Sequence, residues 1–253
     1  MATARTSIAD RWLTCPRPNP AAKLRLFCLP YAGGAAHIFR NWDAGLPREV
    51  EIYLIHLPGR AMRMMEPAFS RIQDLVEELA PAVRSKLDKP YAVFGHSMGA
   101  LIGFELVHAL HKEAGLEAAH LFASGCFAPH IPDPNPIHHL PDREFIEALR
   151  TLNGIPQEIL QHEELLELIL PTLRADMLMT EKYEPTVRQQ LRCPITVFGG
   201  LEDPIIYREH LEQWKQHTSN QFLLQMFPGD HFFCHTEEAQ LLTAISYQLQ
   251  KRI

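Results

Sequence analysis

The stretch Phe94–Ala100, FGHSMGA, holds a serine between two glycines, where an apolar strand-like run meets an apolar helix-like run. The strand-like run is Tyr91–Val93, and the helix-like run is Leu101–Val107. A serine on so tight a turn is strained, and neighbouring backbone has to approach it closely, which glycine permits at both flanking positions. The stretch therefore predicts a Ser97 hydroxyl exposed at the N-terminus of a helix, where the dipole and unpaired N–H groups stabilise negative charge.

The overall composition is that of a soluble globular protein, with 46% hydrophobic and 21% charged residues among 253. A net charge of −6 argues against general binding to nucleic acid or to anionic membranes. The five cysteines are scattered and form no CxxC pair, so neither a disulfide framework nor a zinc site is expected. The N-terminal segment MATARTSIADRWL has no long apolar core, and no apolar run has the length of a membrane span. We therefore predict a cytoplasmic protein with reduced thiols.

Short apolar runs alternate with helical patterns along most of the chain. The runs are mostly continuous rather than strictly alternating, as in strands that are covered on both faces. The predicted strands are Leu24–Leu29, Glu51–Leu57, Tyr91–Phe94, Ala119–Ser124, Ile195–Phe198 and Gln221–Phe227. Strands that alternate with helices form right-handed βαβ units. The pattern therefore predicts an α/β fold with a mostly parallel central sheet flanked by helices.

Four segments have the spacing of helices that flank such a sheet, namely residues 71–87, 98–112, 207–217 and 237–250. Ser70 and Gln73 are spaced as in a capping box, which predicts the start of the first helix. Thr236 is placed to cap the last helix.

The alternation of strands and helices stops between residues 130 and 190. The proline-rich stretch PHIPDPNPIHHLPD is followed by helical patterns at residues 142–152, 157–161 and 163–183. Because this region contains no convincing strand, we interpret residues 130–190 as a helical lid. The lid is inserted within a single domain that spans residues 1–253.

A nucleophilic serine needs a base, and the base needs an acid that orients it. In a parallel sheet these groups are expected just beyond the carboxyl ends of later strands. The stretch PGDHFF offers His231 there, and GGLEDPI offers Asp203, with Glu202 as the second choice. Asp230 adjoins the histidine in sequence, which is a poor geometry for holding its Nδ1 atom. The order Ser97, Asp203, His231 is the one expected of an α/β-hydrolase.

An oxyanion hole needs two donors, and the N–H of Met98, directly after the serine, is the first candidate. The second is the N–H of Ala32, because the stretch LPYAGGAAHIF follows an early strand and its glycine pair lets backbone approach a ligand. A glycine-rich turn without a catalytic duty is the alternative. His231 and His235 have i,i+4 spacing but lack the glutamate of HExxH, so no metal site is expected.

Five motifs, in this order, resemble those of the type II thioesterases that accompany nonribosomal peptide and polyketide synthases. They are FCLPYAGG, LPGR at Leu57–Arg60, FGHSMGA, FGGLEDP and PGDHFF, and the resemblance runs from about residue 23 to the C-terminus. It implies an α/β-hydrolase fold with a helical lid, a nucleophile at Ser97, an acid at Asp203 and a base at His231. The oxyanion donors fall on Ala32 and Met98. The family commonly has glycine before the catalytic histidine, where this chain has Asp230.

The resemblance implies a serine thioesterase that needs no metal or bound cofactor. Its substrate would be an acyl or aminoacyl thioester on the phosphopantetheine arm of an acyl or peptidyl carrier protein, hydrolysed to edit stalled or mis-primed synthases. The sequence leaves open a medium-chain fatty acyl-carrier thioesterase, a general serine esterase, or a non-catalytic α/β-hydrolase-fold binding protein.

Two surfaces would then matter for the substrate. Arg60, Arg63 and Arg71 lie close in sequence and are a candidate basic patch for an acidic carrier protein, with an ordinary solvated surface as the alternative. Apolar lid residues are candidates for the acyl pocket, although core packing accounts for most of them. These residues are Phe145, Ile146, Leu149, Leu165, Leu168, Ile169, Met177 and Met179.

Overall fold

The computed structural model describes residues 8–151 and 162–253. Within these residues, seven strands form a sheet of order β1-β3-β2-β4-β5-β6-β7. The strands are β1 Leu13–Thr14, β2 Leu24–Leu29, β3 Val50–Ile55, β4 Tyr91–His96, β5 His120–Ser124, β6 Ile195–Gly200 and β7 Phe222–Phe227. The short β1 pairs antiparallel with β3, and every other neighbouring pair is parallel. The predicted mostly parallel sheet is confirmed.

Helices connect the strands and cover both faces of the sheet. They are α1 Ile8–Trp12, α2 Ile72–Arg84, α3 Met98–Ala114, α4 Asp142–Thr151, α5 Glu163–Glu181, α6 Arg208–Glu212, α7 Phe233–Thr236 and α8 Glu238–Gln250. Short 3-10 turns occur at Ala36–Phe39, Trp42–Gly45, Ala61–Arg63 and Gln213–His217. The predicted helix at 157–161 lies outside the described residues. In the described part of the chain, no helix combines the length and the apolar character needed to cross a bilayer.

The continuous apolar runs reflect two cores, one on each face of the sheet. Successive strand residues point to opposite faces, so a strand covered on both sides has few polar positions. On β4, Val93 packs in the core beneath α2 and α3, whereas the next residue, Phe94, packs in the core that includes Leu241 and Ile245 of α8. The sheet is thereby held rigidly between helical layers.

Helices α4 and α5 lie between β5 and β6, and residues 142–151 and 163–181 are called here the helical segment. The segment has a small apolar cluster of its own, formed by Phe145, Leu149, Leu166 and Leu173. The chain that leaves it is tied to the body of the fold by Glu105 of α3. This buried carboxylate accepts hydrogen bonds from the Tyr183 hydroxyl at 2.7 Å and the Thr186 hydroxyl at 2.7 Å.

Both predicted helix caps are wrong. Helix α2 begins after Arg71 without a side-chain cap, and Gln73 instead donates to the carbonyl of Glu184 at 3.0 Å. Thr236 ends the short α7, and α8 begins after Glu237, again without a side-chain cap. Neither helix begins where its local capping chemistry predicts, and Gln73 of α2 is engaged in a contact with the distant Glu184.

The packing of α2 predicts a large effect of one core substitution. Leu79 is a residue of this helix and is fully buried in the core. We expect Leu79→Ala to lower the free energy of unfolding by about 2–5 kcal/mol, because it removes buried methyl groups and leaves a cavity. Glu78→Ala, at the neighbouring exposed position, is the control and is expected to change it by about 0.5 kcal/mol or less. Urea denaturation measures both, and equal midpoints would contradict this account.

Candidate active site

Ser97 stands on a strained turn between β4 and α3. Its backbone angles are φ 53° and ψ −120°, a conformation that L-residues rarely adopt. A Cβ atom on Gly95 would lie 2.0 Å from the carbonyl oxygen of Gly99, and one on Gly99 would lie 2.4 Å from the carbonyl oxygen of Leu29. Because both clashes are with backbone, only glycine fits at either position. These two close approaches of backbone explain why a glycine stands on each side of Ser97, as the sequence predicts.

Asp203 and His231 form a hydrogen-bonded pair beyond the ends of β6 and β7. Nδ1 of His231 lies 2.7 Å from Oδ2 of Asp203, while Oδ1 of Asp203 accepts the N–H groups of Ile205 at 2.9 Å and Ile206 at 3.0 Å. Asp203 is only 4% exposed. Burial opposes its ionisation, but the hydrogen bond and charge of His231 and the two N–H groups outweigh this, so the pKa of Asp203 is lowered. The carboxylate therefore accepts the Nδ1 proton, which leaves Nε2 of a neutral His231 as an acceptor.

Ser97, His231 and Ala32 line the same cavity, which has a volume of about 360 Å³. Its apolar wall includes Phe127, Leu149, Leu173, Met177, Ile205 and Ile206, and Cys126 also faces it. The helical segment thus covers the cavity with α4 and α5. Of the lid residues that were candidates for a pocket, Leu149 and Met177 line it, whereas Leu165 and Leu168 are exposed to solvent.

Of the two candidate oxyanion donors, Ala32 lines the cavity and Met98 directly follows the cavity-lining Ser97. Met98 is the first residue of α3, so its N–H has no acceptor within the helix. Ala32 lies in a turn closed by the N–H of Gly34 on the carbonyl of Tyr31 at 2.9 Å, and the N–H of Gly33 donates to Asp176 at 2.7 Å. The N–H groups of Gly33 and Gly34 are therefore engaged within the protein. Ala32, in contrast, is a residue that lines the cavity.

Two residues near the imidazole of His231 are given no role by the sequence. His96 is fully buried, its ring centroid lies 5.2 Å from that of His231, and its Nδ1 lies 2.9 Å from the Ser124 hydroxyl. Burial, followed by the nearby His231 and His235, lowers the pKa of His96 well below its ordinary range, so this ring is neutral. Gly125 has a φ of 57°, and a Cβ there would lie 2.9 Å from His96 and 3.5 Å from His231. A glycine directly after a strand is the sequence signal that points to such a close approach.

The other candidate acids have different partners. Glu202 accepts the N–H of Gly229, and Asp230 accepts the N–H of Phe232 at 2.8 Å. His235 contacts the hydroxyl of Tyr31 at 2.9 Å through Nε2. Across residues 8–151 and 162–253, no three His, Cys, Asp or Glu side chains are grouped so that they could hold a metal ion.

The predicted basic patch is wrong for two of its three arginines. Arg60 is 8% exposed and pairs with the carboxylate of Asp176 at 2.6 Å. Arg63 is 5% exposed, pairs with Glu66 at 2.6 Å and stacks over the ring of Trp12. Arg71 is exposed and lies 3.5 Å from the carboxylate of Asp74. Closeness in sequence on an irregular loop did not place the three guanidinium groups on one surface.

The Asp203 carboxylate predicts how stability depends on pH. Because its folded pKa is depressed, its contribution is present above the ordinary carboxyl pKa and is lost as the pH falls through the folded pKa. We expect the wild type to be more stable than Asp203→Asn near neutral pH. The difference should shrink as the pH falls below the ordinary carboxyl pKa and through the lower folded pKa of Asp203. Urea denaturation of both proteins across this range measures the difference, and a constant or growing gap would contradict the assignment.

Comparison with known proteins shows which relatives this chain has. The chain is 46% identical to a Brevibacillus parabrevis protein named linear gramicidin dehydrogenase LgrE, with 95% of this chain and 93% of that protein covered. It is 40% identical to the gramicidin S biosynthesis protein GrsT of Aneurinibacillus migulanus, with 96% of each covered.

Solved structures and a family model agree with this placement. The type II thioesterase BorB from the borrelidin biosynthetic cluster superposes with a TM-score of 0.85 at 32% identity, over 98% of this chain and 100% of that one. A model of the thioesterase domain matches residues 24–249. The chain therefore belongs to the thioesterase domain family of α/β-hydrolases and is a thioester hydrolase.

Proposed function

We propose that this protein is a type II thioesterase with the catalytic residues Ser97, His231 and Asp203. Its substrates are acyl or aminoacyl thioesters on the phosphopantetheine arm of carrier proteins, and its task is to clear stalled or mis-primed synthases. The observation that carries the proposal is the strained Ser97 in one cavity with a His231–Asp203 pair. The names of the relatives in peptide and polyketide biosynthesis support the choice of pathway.

The first half of the reaction forms an acyl-enzyme. His231 accepts the Ser97 proton at Nε2 while Oγ attacks the thioester carbonyl. The carbonyl oxygen becomes negative and is stabilised by the N–H groups of Met98 and Ala32. Asp203 holds the imidazole in the required tautomer and stabilises its positive form. The C–S bond then breaks, and the pantetheine sulfur leaves as a thiol with the proton from His231.

The second half releases the acid. A water molecule gives a proton to Nε2 of His231 and attacks the ester carbonyl of acylated Ser97, using the same two N–H donors. Collapse of this intermediate breaks the ester C–O bond and returns the proton to Oγ of the serine. The enzyme is thereby regenerated, and the carrier thiol is free for reloading.

We further propose that residues 130–190 act as a lid within a single domain, because α4 and α5 supply cavity-lining side chains such as Leu149, Leu173 and Met177. These side chains would contact the acyl group and set its preference. Opening of the lid would admit the pantetheine arm. A cytoplasmic location, and the lack of nucleic-acid and membrane partners, stay predictions from the sequence.

A panel of defined substrates separates this function from its rivals. Acetyl, aminoacyl and medium-chain acyl groups are offered on carrier proteins, beside p-nitrophenyl esters, and products are identified by mass spectrometry. We expect carboxylic acids and free carrier thiols, with carrier thioesters preferred over oxygen esters. NADPH and NADH are included because one relative is named a dehydrogenase. Nucleotide-dependent product formation, or a preference for oxygen esters or medium chains, would contradict the proposal in its present form.

Removal of the nucleophile tests the serine. We expect Ser97→Ala to lower turnover on every carrier substrate by at least about 10³-fold, with an unchanged circular dichroism spectrum, because Oγ is the attacking atom. Fluorophosphonate labelling of the wild type at Ser97 is the companion measurement. Near-wild-type hydrolysis by the variant, or no labelling of the wild type, would rule out the assignment and favour a binding protein.

Two adjacent carboxylates test the choice of acid. We expect Asp203→Asn to lower kcat by about 10³- to 10⁴-fold, because the imidazole then loses the carboxylate that fixes its tautomer. Glu202→Gln is the matched control, since Glu202 contacts Gly229 rather than the imidazole, and we expect a change of about threefold or less. A larger loss in Glu202→Gln than in Asp203→Asn would assign the acid to Glu202.

A further inference from the structure

The loop that carries Ala32 is a tight turn with a defined peptide orientation. Residues Tyr31 to Gly34 are closed by the hydrogen bond from the N–H of Gly34 to the carbonyl of Tyr31, and Gly33 has a φ of 73°. A positive φ at the third position, with a negative one at the second, is the geometry of a type II turn. In the alternative type I turn the central peptide is flipped, so the N–H of Gly33 would point the other way.

Helix α5 holds this central peptide in place through two side chains on one face. Oδ2 of Asp176 accepts the N–H of Gly33 at 2.7 Å. Three residues earlier, Leu173 packs so closely on Gly33 that a Cβ atom there would lie 2.5 Å from its Cδ2 atom. Gly33 therefore fits against a turn of α5, and a flipped peptide would lose its buried acceptor.

Arg60 compensates the buried charge of the Asp176 carboxylate. Asp176 is 0% exposed, and Arg60 donates Nη1 to Oδ2 at 2.6 Å and Nη2 to Oδ1 at 2.8 Å. The same Nη1 reaches the carbonyl of Gly34 at 3.4 Å, and Nε donates to the carbonyl of Pro58 at 3.1 Å. The LPGR motif thus links α5 to both ends of the Gly33–Gly34 pair, through a bidentate ion pair that satisfies the buried charge.

We propose that Asp176 is a positioning residue for the oxyanion hole, acting through the N–H of Gly33 on the orientation of the neighbouring Ala32 N–H. The inference rests on the proposed function, which uses Ala32 as a donor. The peptide groups on both sides of Ala32 are then fixed. The hydrogen bond between Tyr31 and Gly34 holds the preceding one, and Asp176 holds the following one. Because Asp176 belongs to the helical segment, the oxyanion hole is complete only while α5 is seated on the loop.

The experiment separates positioning from stability by replacing the ion pair in two ways. Asp176→Leu removes the acceptor and leaves Arg60 buried without a partner, which destabilises the fold. The double variant Arg60→Met with Asp176→Leu removes both charges, and apolar replacement of a buried pair commonly restores stability. Thr172→Val is the matched control, because it removes a different α5 contact, the 2.8 Å hydrogen bond to the carbonyl of Gly59.

Turnover is counted per site labelled by fluorophosphonate, so that unfolded molecules do not enter kcat. We expect the double variant to melt near the wild-type temperature, yet to keep a kcat lower by about 10- to 100-fold with KM changed by about twofold or less. Affinity for a trifluoromethyl ketone analogue, which forms an oxyanion on Ser97, should fall by a similar factor. Affinity for a thioether analogue, which forms none, should not change, and Thr172→Val should match the wild type in every measurement.

A double variant with wild-type kcat and unchanged affinity for the ketone would overturn the proposal. Equal losses for both analogues would do the same, since they indicate a distorted pocket. If the double variant does not fold, the affinities of Asp176→Asn for the two analogues test the proposal instead. The amide has a single oxygen without charge, so it cannot accept hydrogen bonds from both Gly33 and Arg60 as the two carboxylate oxygens do. An inactive wild type on these substrates would count against the proposed function, and not against the role of Asp176.

Discussion

The close approach of backbone at Gly95 and Gly99 is the constraint on which the site depends. Gly99 presses against the carbonyl of Leu29, and Gly95 presses against the carbonyl of Gly99, so β2, β4 and α3 meet without intervening side chains. Ser97 lies between these two glycines with its positive φ, and the loop that follows β2 lines the same cavity. The nucleophile and the loop of Ala32 are therefore positioned by the same packing. The strain of about 1–3 kcal/mol at such a residue is held by the buried sheet around it.

The topology brings the remaining groups to one edge of the sheet, although a long helical insertion separates β5 from β6. Strands β2, β4, β5, β6 and β7 are neighbours and parallel, so their carboxyl ends meet at one edge of the sheet. Ala32, Ser97, Gly125, Asp203 and His231 follow these ends in turn. Each group is borne by a loop whose roots are fixed in the core. The helical segment then closes the edge from above and supplies Asp176 to the loop of Ala32.

The sequence predicts the strands well because a sheet covered on both faces imposes an unbroken apolar run, as Val93 and Phe94 illustrate. It predicts the placement of Ser97, Asp203 and His231 because strand ends are recognisable and converge. It fails where the outcome depends on partners distant along the chain. Arg60 looks like a surface charge until Asp176, 116 residues away, is seen against it.

Local signals also lose to tertiary contacts in two other places. Ser70 has the chemistry of a cap, but Gln73 donates to the carbonyl of Glu184, and α2 begins after Arg71, one residue beyond the predicted cap. Strand β1 is two residues long, too short to carry a periodicity, and exists because Leu13 and Thr14 pair with β3. Neither outcome is encoded in the residues next to it.

Cys126 lines the same cavity as Ser97, and the state of its thiol has a consequence for fidelity. Thiols exchange acyl groups with thioesters, so a reactive cysteine in this cavity would compete with hydrolysis by capturing the substrate as a new thioester. Burial raises the pKa of Cys126 far above its ordinary value, which keeps the sulfur protonated and weakly nucleophilic. Acyl migration onto this sulfur is thereby suppressed, and the cavity offers the incoming carbonyl a hydroxyl in preference to a thiolate.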